Sequence, residues 1–177
     1  MGHSELWVGA LTALTALGAS WITARATSRA ALAQARTAAR AQALREQRER
    51  RRSTYREMMG CAHAFFEVTW QIDAVDAAPD REAGDRLLAQ MYEHMAPAIG
   101  NLNRANHEVR LDGPAAVSDA SERVRQAARR VQPRLKALAG ATTPEPRRAY
   151  DAAFTDFRDA YTTFIGLARQ ALEAEEM

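Results

Sequence analysis

Apolar and polar residues alternate along this chain with the period of an α-helix. After an uncharged N-terminal run, apolar residues recur every three or four positions in four successive segments. No segment keeps the period of two that a half-buried β-strand requires. The pattern therefore predicts an all-α protein.

The four segments each present one apolar face, which is the expected core. Its predicted members are Tyr55, Met58, Met59, Ala62, Phe65, Phe66, Thr69 and Ile72 in the first segment; Leu88, Met91, Met95, Ala98, Leu102, Ala105 and Val109 in the second; Val117, Val124, Val131, Leu135 and Leu138 in the third; and Tyr150, Phe154, Phe157, Tyr161, Phe164, Ala168 and Ala171 in the fourth. Short connections between amphipathic helices favour an up-down four-helix bundle.

Helix-breaking residues separate these segments. Pro79 marks the first break, with Asp80 as the expected N-cap of the next helix. Gly113 and Pro114 mark the second break, and the sequence GATTPEPR at 140–147 marks the third. Pro97 falls inside the second segment, where a kink is expected, and Pro133 interrupts the third.

Residues 6–24 form an uncharged run of 19 residues. As a helix it spans roughly 28 Å, close to the hydrocarbon thickness of a bilayer. Trp7 and Trp21 stand near its two ends, where indole rings prefer the membrane interface. The run predicts a single-pass anchor in the cell membrane.

Two alternatives to the anchor stay open, namely a cleaved signal peptide and a buried helix of a soluble protein. Against the signal peptide, only His3 and Glu5 precede the run as ionisable side chains, whereas arginines follow it. The positive-inside rule places the arginine side in the cytoplasm. We therefore expect the N-terminus outside and the C-terminal domain inside.

No glycine or proline interrupts residues 20–59, so the anchor is expected to continue as one helical stalk. A stripe of small residues runs through the anchor into this stalk: Gly9, Ala13, Ala16, Ser20, Thr23 and Thr27. Small residues at spacings of three and four allow membrane helices to approach closely, which predicts a homo-oligomer with coiled-coil-type association. In a run so rich in alanine and threonine, such a stripe can also arise from composition alone.

Charge divides the chain unequally. Residues 1–56 carry ten arginines and three glutamates, a net charge of +7, while the remainder carries 14 basic and 19 acidic residues, a net charge of −5. The basic part, residues 1–56, is expected to contact anionic lipid or phosphate. The expected contact residues are Arg25, Arg29, Arg36, Arg40, Arg48, Arg51 and Arg52. A solvated charged helix is the alternative, since Glu46 and Glu49 interleave with the arginines, and nucleic-acid binding stays uncertain.

Catalytic signatures are missing from the sequence. It contains no phosphate-binding glycine loop and no Gly-x-Ser-x-Gly nucleophile motif. His63 and Glu67 share a helix face, but two ligands do not make a closed zinc site, and the single Cys61 lacks an evident base. The prediction is a non-enzymatic protein with no catalytic residue, cofactor or metal.

The stretches RRSTYREMMGCAHAFF (51–66) and HEVRLDGPAAVSDASERV (107–124), placed behind a short anchor, resemble a group of small actinobacterial membrane-anchored helical proteins. In layout the chain is similar to the KilB-type spread proteins of streptomycete conjugative plasmids. The resemblance implies a non-enzymatic membrane role in spreading plasmid DNA through the recipient mycelium, with plasmid transfer proteins as partners. It transfers no functional residue to this chain.

Three regions and one leading function follow. We expect a membrane anchor at 1–24, a basic stalk at 25–53 and a cytoplasmic helical bundle at 54–177. The leading function is an oligomerising membrane scaffold acting in conjugative plasmid spread. The alternatives are a nucleic-acid-binding protein that uses the arginine-rich stalk, and a membrane-anchored docking protein for a soluble partner.

Overall fold

The structure, a computed structural model, describes the backbone of residues 3–174 and the side chains of residues 31, 32 and 34–174. Over these residues the protein is all-helical, with four long helices and one short one. The helices are α1 (His3–Trp70), α2 (Ile72–Asp76), α3 (Arg81–Asp112), α4 (Ala115–Lys136) and α5 (Glu145–Ala174). The all-α prediction is confirmed.

The chain divides into two units, Met1–Gln47 and Arg48–Met177. In the first unit, the side chains from Gln34 to Gln47 are exposed. The second unit contains the end of α1 and all of α2 to α5. Within the second unit, Arg51 and Thr54 of α1 bond to Asp112 at the end of α3.

The core of the second unit is built where α1 packs against α5. Tyr55 lies edge-on to Phe164 with 6.2 Å between ring centroids, and Phe65 lies 4.7 Å from Phe157. All four rings are buried. Burying a side chain of this size contributes about 2–3 kcal/mol, so this aromatic contact is a large part of the bundle's stability.

The order of these contacts fixes the helix directions. Residues 55 and 65 of α1 meet residues 164 and 157 of α5, so the two helices run antiparallel. Between α3 and α4, Asn106 bonds to Ser121 and Ser118 bonds to Val109, again an antiparallel pairing. Together with the α4–α5 contact, these pairings give the expected up-down topology.

Local chemistry explains two of the helix boundaries. The Asp80 carboxylate accepts a hydrogen bond from the Ala83 amide at 2.8 Å, which confirms the predicted N-cap of α3. Gly113 follows the last residue of α3, and Pro114 takes the N-cap position of α4. Both α3 and α4 continue as helices through their internal prolines, Pro97 and Pro133.

The end of α1 differs from the sequence prediction. The predicted first face extended to Ile72, but α1 ends at Trp70 and Ile72 begins the separate helix α2. Close to this end, the Thr69 carbonyl accepts a hydrogen bond from the buried Tyr150 hydroxyl at 2.9 Å. The boundary between α1 and α2 thus lies next to the point where α5 supplies a donor to the last turn of α1.

Charged side chains hold α2 against the start of α5. The guanidinium of Arg147 contacts the carboxylates of Asp73, at 3.4 Å, and Asp76 on α2. Its Nε also donates to Asp151 at 2.9 Å, one turn further along α5. Arg147 thereby joins the short helix to the bundle.

The predicted core positions are confirmed as core or core-packed residues. Most are buried, and Met59, Phe66, Leu138, Phe154, Tyr161 and Ala171 are partly buried against the core. Leu138 lies just beyond the end of α4. The structure adds alanines of α4 that the predicted face omitted, namely Ala120, Ala127 and Ala128.

Gly113 and Gly100 give a matched test of this packing. A Cβ at position 113 would lie 2.7 Å from the Val109 carbonyl oxygen, whereas a Cβ at position 100 would meet nothing within 4 Å. We expect Gly113→Ala to lower the free energy of unfolding by about 1–3 kcal/mol, because a well-packed junction must shift. Gly100→Ala should raise it by about 0.5–1 kcal/mol, because alanine is the better helix former. Urea unfolding of the full chain checks both, and a stabilising Gly113→Ala would contradict this account.

Candidate functional site in the arginine-rich first helix

The arginine-rich part of α1 is largely exposed where its side chains are described. Arg36, Arg40, Arg48 and Arg52 are exposed, and so is the interleaved Glu46. Glu46 accepts a hydrogen bond from Gln42 one turn earlier at 2.9 Å. Arg25 and Arg29 lie outside the described side chains. The exposed arginines are therefore accessible to an anionic surface.

Arg51 has a different environment from its neighbours. It is half-buried, and its Nε donates to the Asp112 carbonyl oxygen at 2.7 Å. Carbonyls of the last turn of a helix lack intrahelical donors, so a guanidinium there both completes a hydrogen bond and complements the helix dipole. Thr54, one turn along α1, also reaches the Asp112 carboxylate at 3.4 Å. Of the predicted contact residues, Arg51 thus also caps α3.

The predicted anchor and its small-residue stripe lie outside the described side chains. This applies to residues 6–24 and to the stripe Gly9, Ala13, Ala16, Ser20, Thr23 and Thr27, although their backbone belongs to α1. Among the residues that the structure describes, no helix has the length and apolar character needed to cross a membrane.

A buried polar network connects α3 to α4. Asn106 is 4% exposed, and its side-chain oxygen accepts from the Ser121 hydroxyl at 2.7 Å. The Asn106 amide nitrogen donates to Glu122 at 3.0 Å, and Glu122 also accepts from Arg125 and Gln126. Satisfied in this way, buried polar groups stabilise one helix register over others.

The network determines the ionisation of Glu122. Hydrogen bonds from Arg125, followed by those from Gln126 and Asn106, lower the pKa of Glu122 from 4.5 to about 2, although partial burial acts in the opposite direction. The guanidinium of Arg125 is held by the same carboxylate, which raises its pKa. Glu122 is therefore a carboxylate at all ordinary pH values.

The positions of Asn106 and Ser121 in the sequence indicate that both are buried, although the pattern of apolar residues alone does not include them. Asn106 follows Leu102 by four positions and precedes Val109 by three, and Ser121 stands in the same relation to Val117 and Val124. Both polar residues therefore lie on the core faces of their helices. Applying the helical period to polar residues as well would have placed Asn106 and Ser121 in the core. It would not have shown that their side chains bond to each other.

The residues considered as metal ligands or as a thiol nucleophile do not form a reactive site among the described residues. His63 and Glu67 form an exposed pair at 3.6 Å, and no group of three or more potential metal ligands occurs among the described residues. Cys61 is half-buried, and burial raises the pKa of its thiol, with the Glu57 carboxylate acting in the same direction. A raised pKa lowers the thiolate fraction at neutral pH and weakens Cys61 as a nucleophile.

The network predicts a loss of stability at acid pH. Because the folded-state pKa of Glu122 is depressed, its contribution is present above about pH 4.5 and is lost as the pH falls towards 2. We expect the difference in unfolding free energy between the native chain and Glu122→Gln to shrink over this interval. Glu108→Gln, an exposed carboxylate on α3, is the matched control. Urea unfolding at several pH values checks this, and a pH-independent difference for Glu122→Gln would contradict the role of the network.

Comparison with known proteins returns no match: no protein-family model, no curated protein and no solved structure matches this chain. The resemblance to KilB-type spread proteins stays a prediction. The function proposed below is supported by the residues and contacts of this chain alone.

Proposed function

We propose that this protein is a non-enzymatic, membrane-anchored scaffold that oligomerises through its first helix. Residues 6–24 serve as a single-pass anchor, and the second unit is the cytoplasmic part that meets other proteins. Its partners are membrane lipids, other copies of the same chain and plasmid transfer proteins.

The observation that carries this proposal is the continuity of α1. One helix, from His3 to Trp70, contains both the uncharged run and the residues that enter the aromatic core of the bundle. A helix satisfies all its internal backbone hydrogen bonds, which is the requirement for crossing a bilayer. The same element can therefore serve as anchor and as bundle helix.

The charges after the run support the orientation. Arg25, Arg29, Arg36 and Arg40 follow residues 6–24, and residues 1–5 contain no arginine or lysine. Arginines close to the end of a membrane helix are retained on the cytoplasmic side. Anionic headgroups on that side attract basic residues within about 8 Å at physiological salt, which selects Arg25 and Arg29 as the nearest candidates for lipid contact.

Self-association is supported by the small-residue stripe of α1. Gly9, Ala13 and Ala16 recur at spacings of four and three, and Ser20, Thr23 and Thr27 continue the same face at the helical period. Such a face lets two helix backbones pack closely within lipid, where threonine and serine hydroxyls add hydrogen bonds. In such an oligomer, the second unit of each copy is the part that is available to bind partner proteins.

The biological setting that we propose is the spread of a conjugative plasmid through the mycelium. The support is the resemblance of residues 51–66 and 107–124, together with the overall layout, to KilB-type proteins. A membrane scaffold fits this role because it collects partners at the membrane and needs no catalytic group of its own.

The first experiment tests the anchor. We expect the C-terminally tagged full chain to stay in membranes washed with alkaline carbonate, with the tag accessible to protease only from the cytoplasmic face. Leu14→Arg should release most of the protein, because an arginine near the centre of a membrane helix costs about 2.5–3.5 kcal/mol. Leu32→Arg is the matched control outside the run and should leave the protein in the membrane.

Release of the unmodified protein by carbonate would overturn the anchor. The nucleic-acid alternative then becomes the one to test, since a steep fall of DNA affinity with salt would identify phosphate contacts by the arginines. Retention of Leu14→Arg together with the native chain would show that the second unit, rather than residues 6–24, holds the protein to the membrane.

A second experiment tests self-association with two glycines of the same run. Gly9 and Gly18 are nine residues apart, so at about 100° per residue they lie on opposite faces of the helix. We expect Gly9→Leu to reduce chemical crosslinking between copies in membranes, because leucine separates the two backbones. Gly18→Leu should leave crosslinking unchanged. Equal effects of the two substitutions would contradict association through the proposed face.

A further inference from the structure

The outer face of α4 carries positive charge without carboxylates over most of its length. No acidic residue occurs between Glu122 and Glu145, a stretch that contains six basic residues. One of them, Arg125, is held by Glu122. The other five are exposed on α4 and are called here the basic face of α4: Arg123, Arg129, Arg130, Arg134 and Lys136.

The charges of the basic face are not used within the bundle. On α3 and α5, Arg81, Arg147 and Arg169 each contact a carboxylate four residues further along. Among the described residues, no carboxylate forms an ion pair with any member of the basic face. Lys136 lines a hollow together with Asp85 and Glu93 of α3, so the four arginines carry most of the available charge.

The helix dipole explains only part of the basic face. Cations in the last turn of a helix complement its dipole, which accounts for Arg134 and Lys136. Arg123, Arg129 and Arg130 lie before the last turn, where this effect is weak. Their side chains are therefore exposed cations without a structural role in α4.

Helical geometry divides the basic face into two rows. One row consists of Arg123, Arg130 and Arg134, and the other of Arg129 and Lys136. At about 100° per residue, the members of each row lie within roughly 40° of one another, and the rows are about 130° apart around the helix. Between the rows, the outermost line of α4 holds Gln126 and Pro133, which are exposed and uncharged. The cations thus stand on both sides of a neutral line.

This arrangement fits a grooved polyanion better than a flat one. A flat anionic membrane would meet the outermost line first, where Gln126 and Pro133 supply neither a charge nor a large apolar side chain that enters lipid. Cations on both sides of a helix match phosphates on both sides of a groove. The major groove of B-DNA is about 12 Å wide and admits one α-helix.

Among nucleic acids, the basic face fits duplex DNA best. Single strands are typically bound by aromatic side chains that stack on the bases, and α4 contains no aromatic residue. Duplex RNA has a deep, narrow major groove that protein side chains do not read. Phosphate contacts by arginine on the two strands of B-DNA need neither stacking nor a wider groove.

We propose that the basic face of α4 binds double-stranded DNA, with α4 lying along the major groove and one row of cations facing the phosphates of each strand. Because phosphate contacts carry no sequence information, this binding has no sequence preference. The surface lies in the second unit, whereas Arg36 and Arg40 belong to the first. Duplex DNA is thereby added to the partners of the proposed scaffold, and the DNA site does not rest on the membrane anchor.

The test measures fluorescence anisotropy of a labelled DNA duplex titrated with the full chain in nanodiscs of neutral phosphatidylcholine. With four arginines on phosphates, the slope of log affinity against log salt should be about −3.6, a roughly hundredfold loss of affinity between 50 and 200 mM salt. The single strand and the RNA duplex of the same sequence should bind several-fold more weakly. Equal affinity for all three would contradict a major-groove site, and no binding of the DNA duplex would overturn the proposal.

Paired variants separate the basic face from general charge. Arg123→Gln with Arg130→Gln should halve the salt slope to about −1.8, because two phosphate contacts are lost. Arg148→Gln with Arg158→Gln removes two exposed arginines from α5 and should leave the slope unchanged. An unchanged slope in the folded α4 variant would overturn the site.

A second pair of variants tests the outermost line of α4. Pro133→Glu places a carboxylate between the two rows, and glutamate is a better helix former than proline, so α4 should stay folded. We expect several-fold weaker binding of duplex DNA. Pro97→Glu, at the exposed proline inside α3, is the matched control and should bind as the native chain does. Circular dichroism checks the fold of each variant, and equal affinities of the two folded variants would contradict the proposed orientation.

Two further arms identify other sources of binding. If Arg36→Gln with Arg40→Gln lowers the salt slope and the α4 pair does not, the arginines of the first unit bind DNA and the proposed site is wrong. If the α4 pair weakens binding to phosphatidylserine vesicles but not to duplex DNA, the basic face is a lipid surface and the proposal fails. Release of the chain by the carbonate wash would remove the anchor alone, since duplex binding by α4 is measured independently of it.

Discussion

The packing of α1 against α5 is the contact on which the rest of the bundle depends. Tyr55 and Phe65 of α1 are buried against Phe164 and Phe157, which sets the two helices antiparallel. The same pairing brings the Tyr150 hydroxyl to the Thr69 carbonyl, where α1 ends. Because burial of large aromatic side chains contributes strongly to a small core, this pair supplies a large part of the bundle's stability, and α3 and α4 complete the core.

Polar contacts then select one arrangement of the remaining helices. Asn106 and Ser121 bond to each other across the interface between α3 and α4, and Glu122 links them to Arg125. An apolar interface of alanine and valine tolerates small shifts along the helix, but an unsatisfied buried amide costs about 1–3 kcal/mol. The network therefore penalises shifts that the apolar contacts alone would permit, in the same way that Arg147 holds α2 against α5.

The first helix has an exposed basic surface in one part and a surface that packs in the bundle in another. Its exposed arginines, including Arg36 and Arg40, are accessible to anionic groups, whereas Arg51 also caps the end of α3 through the Asp112 carbonyl. Further along, the helix packs its aromatic side chains against α5. One helix thus carries the proposed anchor, a basic exposed segment and one face of the bundle core, which suits a protein that assembles partners beside a membrane.

Helical period and side-chain type alone determined the all-α fold, the core faces and the breaks at Asp80, Gly113 and residues 140–147, because these depend on neighbours within a few residues. The same period puts Asn106 and Ser121 on core faces, but the apolar pattern did not use these polar residues, and it does not show that the two would bond. The tertiary structure decided what depends on residues far apart in sequence. The last turn of α1 accepts a hydrogen bond from α5, Arg51 bonds to the end of α3, and a groove on the second unit is lined by residues of both α1 and α5. No local pattern predicts such pairings, because the sequence of each helix is compatible with several neighbouring helices. The packing of the core determines which of them lie side by side.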